Sequence, residues 1–434
     1  MEDDSYTEVT NESWFGRIKN AFIGILIGLI LIAGSVWLLF WNEGRTVQTY
    51  KSLKEGAGAV VSVVNDSISP ANEGNLVHLS GLATTDEVLQ DSQFPVSANA
   101  LMLKRTAKMY QWQESKDSKK RKKLGGGEET VTTYTYDKTW SASVIDSSRF
   151  KKSGSHRNPG RMMFDSTTAT ARNVTLGAFK LTGRQVTNVN AFEELPVGNL
   201  SEMPNIGRPM SNSEGGVYIG NNANSPAIGD VMITFAQVPP TVITIVAKQE
   251  RNSFAPYMTT VGKNIDLLSV GTYTAKAMFE EAQSSNTMMA WLIRLGGFVL
   301  MIIGFALLFK PLSVIADVVP FIGNIVEFGT GIIAFLLAFM VSITTIAIAW
   351  IFYRPILAIV LLVGMAAIVF FVVKAKKGKT VSAPEVKRAP VKEQTRADDN
   401  SDDNSGDAFD YDNEVASTSK KQSAEDPFLT DDDK

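Results

Sequence analysis

Four stretches of this chain, Ala21–Trp41, Met288–Phe309, Phe328–Phe352 and Pro355–Val373, together hold a single charged residue, Arg294. A helix that crosses a bilayer needs about 20 predominantly apolar residues, and all four stretches meet that length. Their placement decides the architecture: one lies near the N-terminus and three follow residue 287. The rest of the chain carries nearly all of the 42 Lys and Arg and 45 Asp and Glu, for a net charge of −3. A mean hydropathy of +0.02 therefore averages two unlike populations. Neither a soluble enzyme nor a transporter built mostly of membrane fits that division. The composition describes a large aqueous portion tied to the bilayer at both ends.

The first stretch is not a cleaved signal. It exceeds an h-region of about 7–15 residues, and Trp37, Phe40 and Trp41 stand where small cleavage-site residues belong. Orientation follows from basic flanks. Arg17 and Lys19 precede the first span, Lys310 follows the second, and Lys374, Lys376, Lys377 and Lys379 follow the fourth. Four crossings put both termini on one side, so these flanks predict cytoplasmic termini and an extracytoplasmic domain over 42–287. Arg354, between the third and fourth spans, is the exception. Trp37, Trp41, Trp291, Trp350 and Tyr353 then fall at the outer interface as an aromatic belt.

The inventory of reactive side chains is short. Cysteine is absent, and His78 and His156 are the two histidines. Disulfides, thiol nucleophiles and Cys-based zinc sites are excluded, and a Ser-His-Asp hydrolase has little to draw on. No spacing rule pairs Asp137, Asp146 or Asp165. The chain is read as a non-enzyme with no cofactor and no metal. The missing thiols point to a bacterial source.

Residues 42–287 read as β-rich (α+β). Lys108–Glu114 and Thr130–Ser141 are predicted strands; Tyr134, Tyr136, Lys138 and Trp140 share one parity and hence one face. Tyr110 and Trp112 are placed to pair with them. Val231–Phe235 and Val242–Ala247 are further strands, Leu76–Leu82 alternates like one, and Asn199–Pro226 reads as loop. Ala275–Gln283 reads as a helix feeding the second span. The Lys119–Lys123 run followed by three glycines reads as a solvated hairpin tip. Its place outside the cytoplasm excludes nucleic acid as a partner, and an acidic lipid or protein surface is the sharper alternative.

Small residues recur at helical spacing within the spans: Gly24 and Gly28 in the first, Gly297 and Gly304 in the second, Ala334, Ala338 and Ser342 in the third. Such residues let helix backbones approach closely in lipid, within one chain or between two. Polar candidates at membrane depth are few. Arg294 lies inside the outer end of the second span, where an unpaired charge is costly. Glu43, at the outer exit of the first span, is the partner in reach. Asp317 is not, because the helix from Arg294 to Lys310 already covers about 24 Å. Residues 310–327 are apolar but interrupted by Pro320, Asp317 and Glu327, and read as an amphipathic or re-entrant segment on the cytoplasmic side. The tail, 374–434, is basic up to Arg396 and acidic from Asp398, with few apolar residues. That composition predicts disorder, the basic half lying on anionic lipid.

Particular residues now identify a likeness. The segment from Ser13-Trp14-Phe15 through Trp41-Asn42-Glu43-Gly44-Arg45 and Ser52-Leu53-Lys54-Glu55-Gly56 resembles the LUMA family of four-pass membrane proteins. So do Met109–Trp112, Thr132–Ser141, Ile145–Lys151, His156–Pro159, Arg294–Gly297 and the run Lys310–Gly323. The resemblance implies one N-terminal span, a large lumenal domain and three C-terminal spans. It also implies self-association and a place in the endoplasmic reticulum and inner nuclear membrane for eukaryotic members, or the plasma membrane for a bacterial one. Links of the family to lamins and emerin are not carried over, and no catalytic residues exist to carry. The tail beyond residue 375 has no counterpart. The expectation is thus a four-helix integral membrane protein with a β-rich extracytoplasmic domain. It would act as a scaffold through homo-oligomers and membrane-associated protein partners. An ion channel or transport component using Asp317, Glu327 and Arg294 is the alternative.

Overall fold

A computed structural model describes residues 4–198 and 206–356, together with residues 359, 360, 363, 364, 367 and 374. The chain divides at Phe370–Phe371, and the features below belong to the first unit. Most of the stretch Pro355–Val373 and the tail after Lys374 lie outside the described residues, as do 199–205.

Among the described residues, three helices are long and apolar enough to cross a membrane: α1 (Trp14–Ala59), α3 (Ala275–Ala316) and α4 (Pro320–Tyr353). A short helix, α2 (Gly183–Thr187), belongs to the β-rich domain. Caps explain the helix starts. Ser13 accepts from Gly16 N at 3.2 Å, Thr274 accepts from Ala277 N at 3.2 Å, and Pro320 occupies the first turn of α4. At 1.5 Å per residue α1 is about 69 Å long, roughly twice a hydrocarbon core. Its apolar stretch ends at Trp41, and the following turns stand clear as a pillar for the domain. There Leu53 packs with Phe279 and Met278 of α3 and with Leu76, Val246 and Ile265 of the domain.

The small residues of the helices sit inside the bundle. A Cβ on Gly28 would lie 2.6 Å from the Gly304 carbonyl, and one on Gly297 would lie 2.8 Å from Leu39. Gly24 faces Leu307, and Ala334, Ala338 and Ser342 are buried, Ser342 Oγ standing 3.4 Å from Met301 Sδ. These faces join helices of one chain. Residues 310–327, read from the sequence as a separate amphipathic or re-entrant segment, divide into the last turns of α3, a turn at 317–319 and the first turns of α4. Pro311 sits within α3, and Pro320 starts α4.

Two large sheets pack together as the body of the domain. One contains β2 (Leu76–Thr84), β8 (Thr241–Glu250) and β9 (Leu267–Val270), with β8 antiparallel to both others. The other runs in the order β1 (Ser5–Glu12), β4 (Glu128–Ser141), β3 (Met102–Lys122), β7 (Val231–Val238), β6 (Gly216–Ile219), β5 (Met210–Ser213). Val77, Leu79, Ile243 and Ile245 from the first face Leu103, Ala107, Ile233, Phe235 and Val217 from the second. Buried residues alternate along β7 and the inner half of β3, the period-2 pattern of a half-buried sheet. His78 is held by Ser62 Oγ at 3.1 Å and the Tyr273 carbonyl at 2.9 Å, which is a structural role.

Three differences from the sequence reading have physical causes. The run Lys116–Lys122 is strand rather than loop. Each residue has a partner in β4; Arg121 and Lys122 stand opposite Glu129 and Glu128, and Lys120 reaches Glu128 at 2.8 Å, so charge is matched across the pair. Only residues 123–127 turn, with Gly125 and Gly126 at φ of 84° and 81°. Within 199–226, read as loop, β5 and β6 form a hairpin whose residues Val217, Tyr218 and Ile219 are fully buried. Finally, the N-terminal residues are β1, paired along β4 from Ser5↔Thr135 to Glu12↔Glu128.

Candidate functional site: charged contacts at the two ends of the bundle

At the domain end, Glu43 of α1 is fully buried. Arg294 of α3 donates from Nε to Glu43 Oε1 at 2.6 Å and from Nη2 to Oε2 at 2.9 Å. Trp350 of α4 donates its indole N–H to the same Oε2 at 2.9 Å. One carboxylate thus joins all three helices. The Arg294 guanidinium also lies 4.8 Å from the Trp291 ring centre, a favourable cation–π placement. Beside Glu43, Asn42 donates to the Ala290 carbonyl at 3.0 Å, and further out Asn286 donates to the Thr46 carbonyl at 3.1 Å. Polar groups in these helices therefore face one another.

The opposite end is built by an arm. Past Met109, where β7 stops pairing, β3 and β4 leave the sandwich together and β1 adds a third strand. From Tyr110 to Lys122 the arm reaches about 40 Å at 3.3 Å per residue. From Glu43 to Arg17, α1 covers about 39 Å. The arm bridges the two ends of the bundle, and its tip closes on the corner between α3 and α4. Arg17 donates to Asp317 Oδ2 at 2.5 Å and to the Gly126 carbonyl at 2.5 Å, and approaches Glu128 at 3.6 Å. Lys122 contacts Asp317 Oδ1 at 2.8 Å and Glu327 Oε2 at 2.6 Å. Lys310 holds the other Glu327 oxygen at 2.8 Å. Trp14 donates its indole N–H to the Val314 carbonyl at 2.8 Å, and Gly125 N donates to the Val318 carbonyl at 3.1 Å. A side chain at Gly126 would run into the Trp14 indole.

Asp317 is fully buried and lies against two cations. Burial alone would lower the Lys122 ammonium, but its bonds to Asp317 and Glu327 outweigh burial and hold it above its usual range. The base of the arm is fastened separately. Asp4 accepts from His156 Nε2 at 2.6 Å, and Tyr136, stacked on His156, donates to Glu114 at 2.7 Å.

Two sequence expectations meet this geometry differently. Arg294 and Glu43 are brought together. Arg17 and the basic tip, placed on opposite sides of the bilayer by their flanks, are in direct contact. Flank charges could not signal this contact, because it depends on the long-range pairing of β1 with β4. Arg17, Lys122, Glu128, Trp14 and Trp350 were missed as site residues. Arg17 and Asp317 are 300 positions apart, and no local pattern links them. The arrangement can fasten elements together; its acids and bases neutralise one another.

A family model described as transmembrane protein 43 matches residues 109–355. The chain is 32% identical to mouse transmembrane protein 43 (Mus musculus) over 378 residues, which cover 84% of this chain and 93% of the relative. It is 31% identical to the human protein (Homo sapiens) over 371 residues, 83% of this chain and 92% of that one. It is 28% identical to a Drosophila melanogaster transmembrane protein 43 homolog over 356 residues, 80% and 93% of the two chains. No solved structure matches the chain.

Proposed function

The chain belongs to the transmembrane protein 43 (LUMA) family, and from that membership we propose that it is an integral membrane scaffold that organises membrane-associated proteins through self-association. The observation that carries this reading is the arm. Its strands hold Glu114, Lys116, Asp117, Lys119, Lys120 and Arg121, and among the described residues the outer edge of β1 has no neighbouring strand. Lipid does not tolerate an open strand edge or an unpaired charge at depth. An arm that bridges a membrane-spanning bundle must therefore be covered by protein or water. A second copy of the chain supplies that cover. The small residues do not, because they are consumed between helices of one chain. The self-contact therefore involves the arm and the outward apolar faces of α3 and α4, where Trp291, Leu295, Phe328, Phe335 and Phe339 are exposed.

A conducting role for Asp317, Glu327 and Arg294 is the alternative, and each of these groups is engaged in an ion pair. Paired charges inside a packed bundle favour the scaffold. Termini on the cytoplasmic side, as the basic flanks imply, place the arm's tip at the same face as Arg17. The endoplasmic reticulum or inner nuclear membrane is the compartment that the family resemblance implies. Full-length protein reconstituted in liposomes should pass no ion current, and two differently tagged copies should co-purify in mild detergent. A cation current reduced by the double change Asp317→Asn, Glu327→Gln would overturn the scaffold in favour of conduction.

A further inference from the structure

Near the domain end of the bundle, a cavity of about 780 Å³ opens between the pillar of α1 and the residues that follow α4. Val47, Ile356 and Val360 give it an apolar wall, and Lys51, Lys54 and Arg354 lie around it. Lys51 and Lys54 are one helical turn apart, so they share a face of α1. Arg354 is fixed at the end of α4, its N–H donating to the Trp350 carbonyl at 2.7 Å. Among the described residues, no carboxylate or other side chain pairs with any of these three cations. At the opposite end of the bundle, by contrast, Asp317 and Glu327 are both paired with cations. Tyr353 lines the cavity, and the sequence reading places it, with Trp41, in the aromatic belt of a bilayer–water boundary.

Three unpaired cations above an apolar wall at that depth match one class of molecule: negative at one end and hydrocarbon at the other. We propose that this cavity is a binding site for an anionic phospholipid of the surrounding leaflet. Its phosphate and acidic headgroup lie among Lys51, Lys54 and Arg354, and an acyl chain lies along Ile356 and Val360. Basic pockets beside membrane helices recognise acidic headgroups in this way. The site also gives Arg354 a role. This arginine breaks the distribution of basic flanks because it serves a headgroup rather than orientation. A bound lipid would lie against both α1 and the start of the fourth apolar stretch, linking them without a protein–protein contact.

The test uses the full-length protein in mild detergent, stripped of lipid. Phosphatidylserine or phosphatidylglycerol is added, with phosphatidylcholine as control, and bound lipid is counted by native mass spectrometry alongside the thermal midpoint. One retained anionic lipid per chain and a raised midpoint are expected, with neither from phosphatidylcholine. Each near-surface cation strengthens such binding about fivefold, so K51Q/K54Q/R354Q should weaken it on the order of a hundredfold. The single variants K51Q and K54Q, each expected to weaken binding about fivefold, serve if the triple variant does not fold. Equal retention of phosphatidylcholine would mean an apolar groove without headgroup recognition and would overturn the proposal. So would an equal midpoint shift from inorganic phosphate, which marks a free-anion site. Variants that keep the preference for anionic lipid would overturn it as well.

Discussion

Glu43 and Arg294 face each other across α1 and α3 as a two-point pair, 2.6 and 2.9 Å between their nitrogen and oxygen atoms, with Trp350 of α4 donating to the same carboxylate. A buried pair that loses one partner leaves the other charge uncompensated, at a cost of roughly 3–5 kcal/mol. Glu43→Gln should therefore lower the thermal midpoint in detergent strongly. Arg294→Gln should lower it less, because Trp350 still donates to Glu43. The double variant should cost less than the two single losses combined, by about 1–3 kcal/mol. Additive losses in the cycle would show that the two groups are not coupled.

The second prediction concerns the arm. Asp317 holds both Arg17 and Lys122, so Asp317→Asn removes the charge at the centre of the tip's attachment. The tip should then detach more often, and trypsin should cleave faster after Lys119–Lys123 while the sandwich stays intact. Unchanged cleavage kinetics would mean that the Asp317 charge does not hold the tip, and that Trp14, Glu327 and the backbone bonds of Gly125 and Gly126 suffice.

Helix packing gives the third. Gly28 allows α1 and α3 to touch at the Gly304 carbonyl. Gly28→Ala should cost about 1–3 kcal/mol by forcing the helices apart. Gly34→Ala, where a Cβ meets nothing within 4 Å, should be neutral or slightly stabilising. Similar midpoints for the two variants in a thermal melt would count against this close crossing.

What the sequence displayed, and what it concealed, follows from how each element earns its stability. The apolar helices were legible because lipid demands composition and length. Tyr110 and Trp140 were legible as neighbours because aromatics on alternating positions mark one sheet face, and their rings lie 5.1 Å apart. The outer half of β3 was not legible. Lys116–Lys122 is exposed over most of its length, so no apolar alternation marks it as strand. Likewise β1 is a polar segment made into a strand by its neighbour β4. Glu43 was found as the partner of Arg294 because both lie at span ends on one side. Asp317 was marked as a polar candidate, but its partners Arg17 and Lys122 were not legible, because one lies 300 positions away and the other on an arm that the sequence does not reveal.

A fourth prediction follows from two phenols. Burial, then a hydrogen bond to Glu114, pushes Tyr136 up to about 12, and burial, then Asp230, does the same for Tyr218. A raised phenol pKa means that the folded state favours the neutral form. The stability it contributes is full below pH 10 and is lost as pH rises towards 12. In an ultraviolet titration, these two phenols should ionise late, near pH 12. Tyr136→Phe and Tyr218→Phe should each remove part of the late step. A late step that survives both substitutions would contradict the assignment.

Self-association is tested most directly by weighing the full-length protein within small patches of native membrane, extracted without detergent at low expression. The scaffold reading predicts particles holding two or more copies of the 47.3 kDa chain, in a fixed number across expression levels. Particles holding one chain each, with the arm still closed on Arg17 and Asp317, would contradict it.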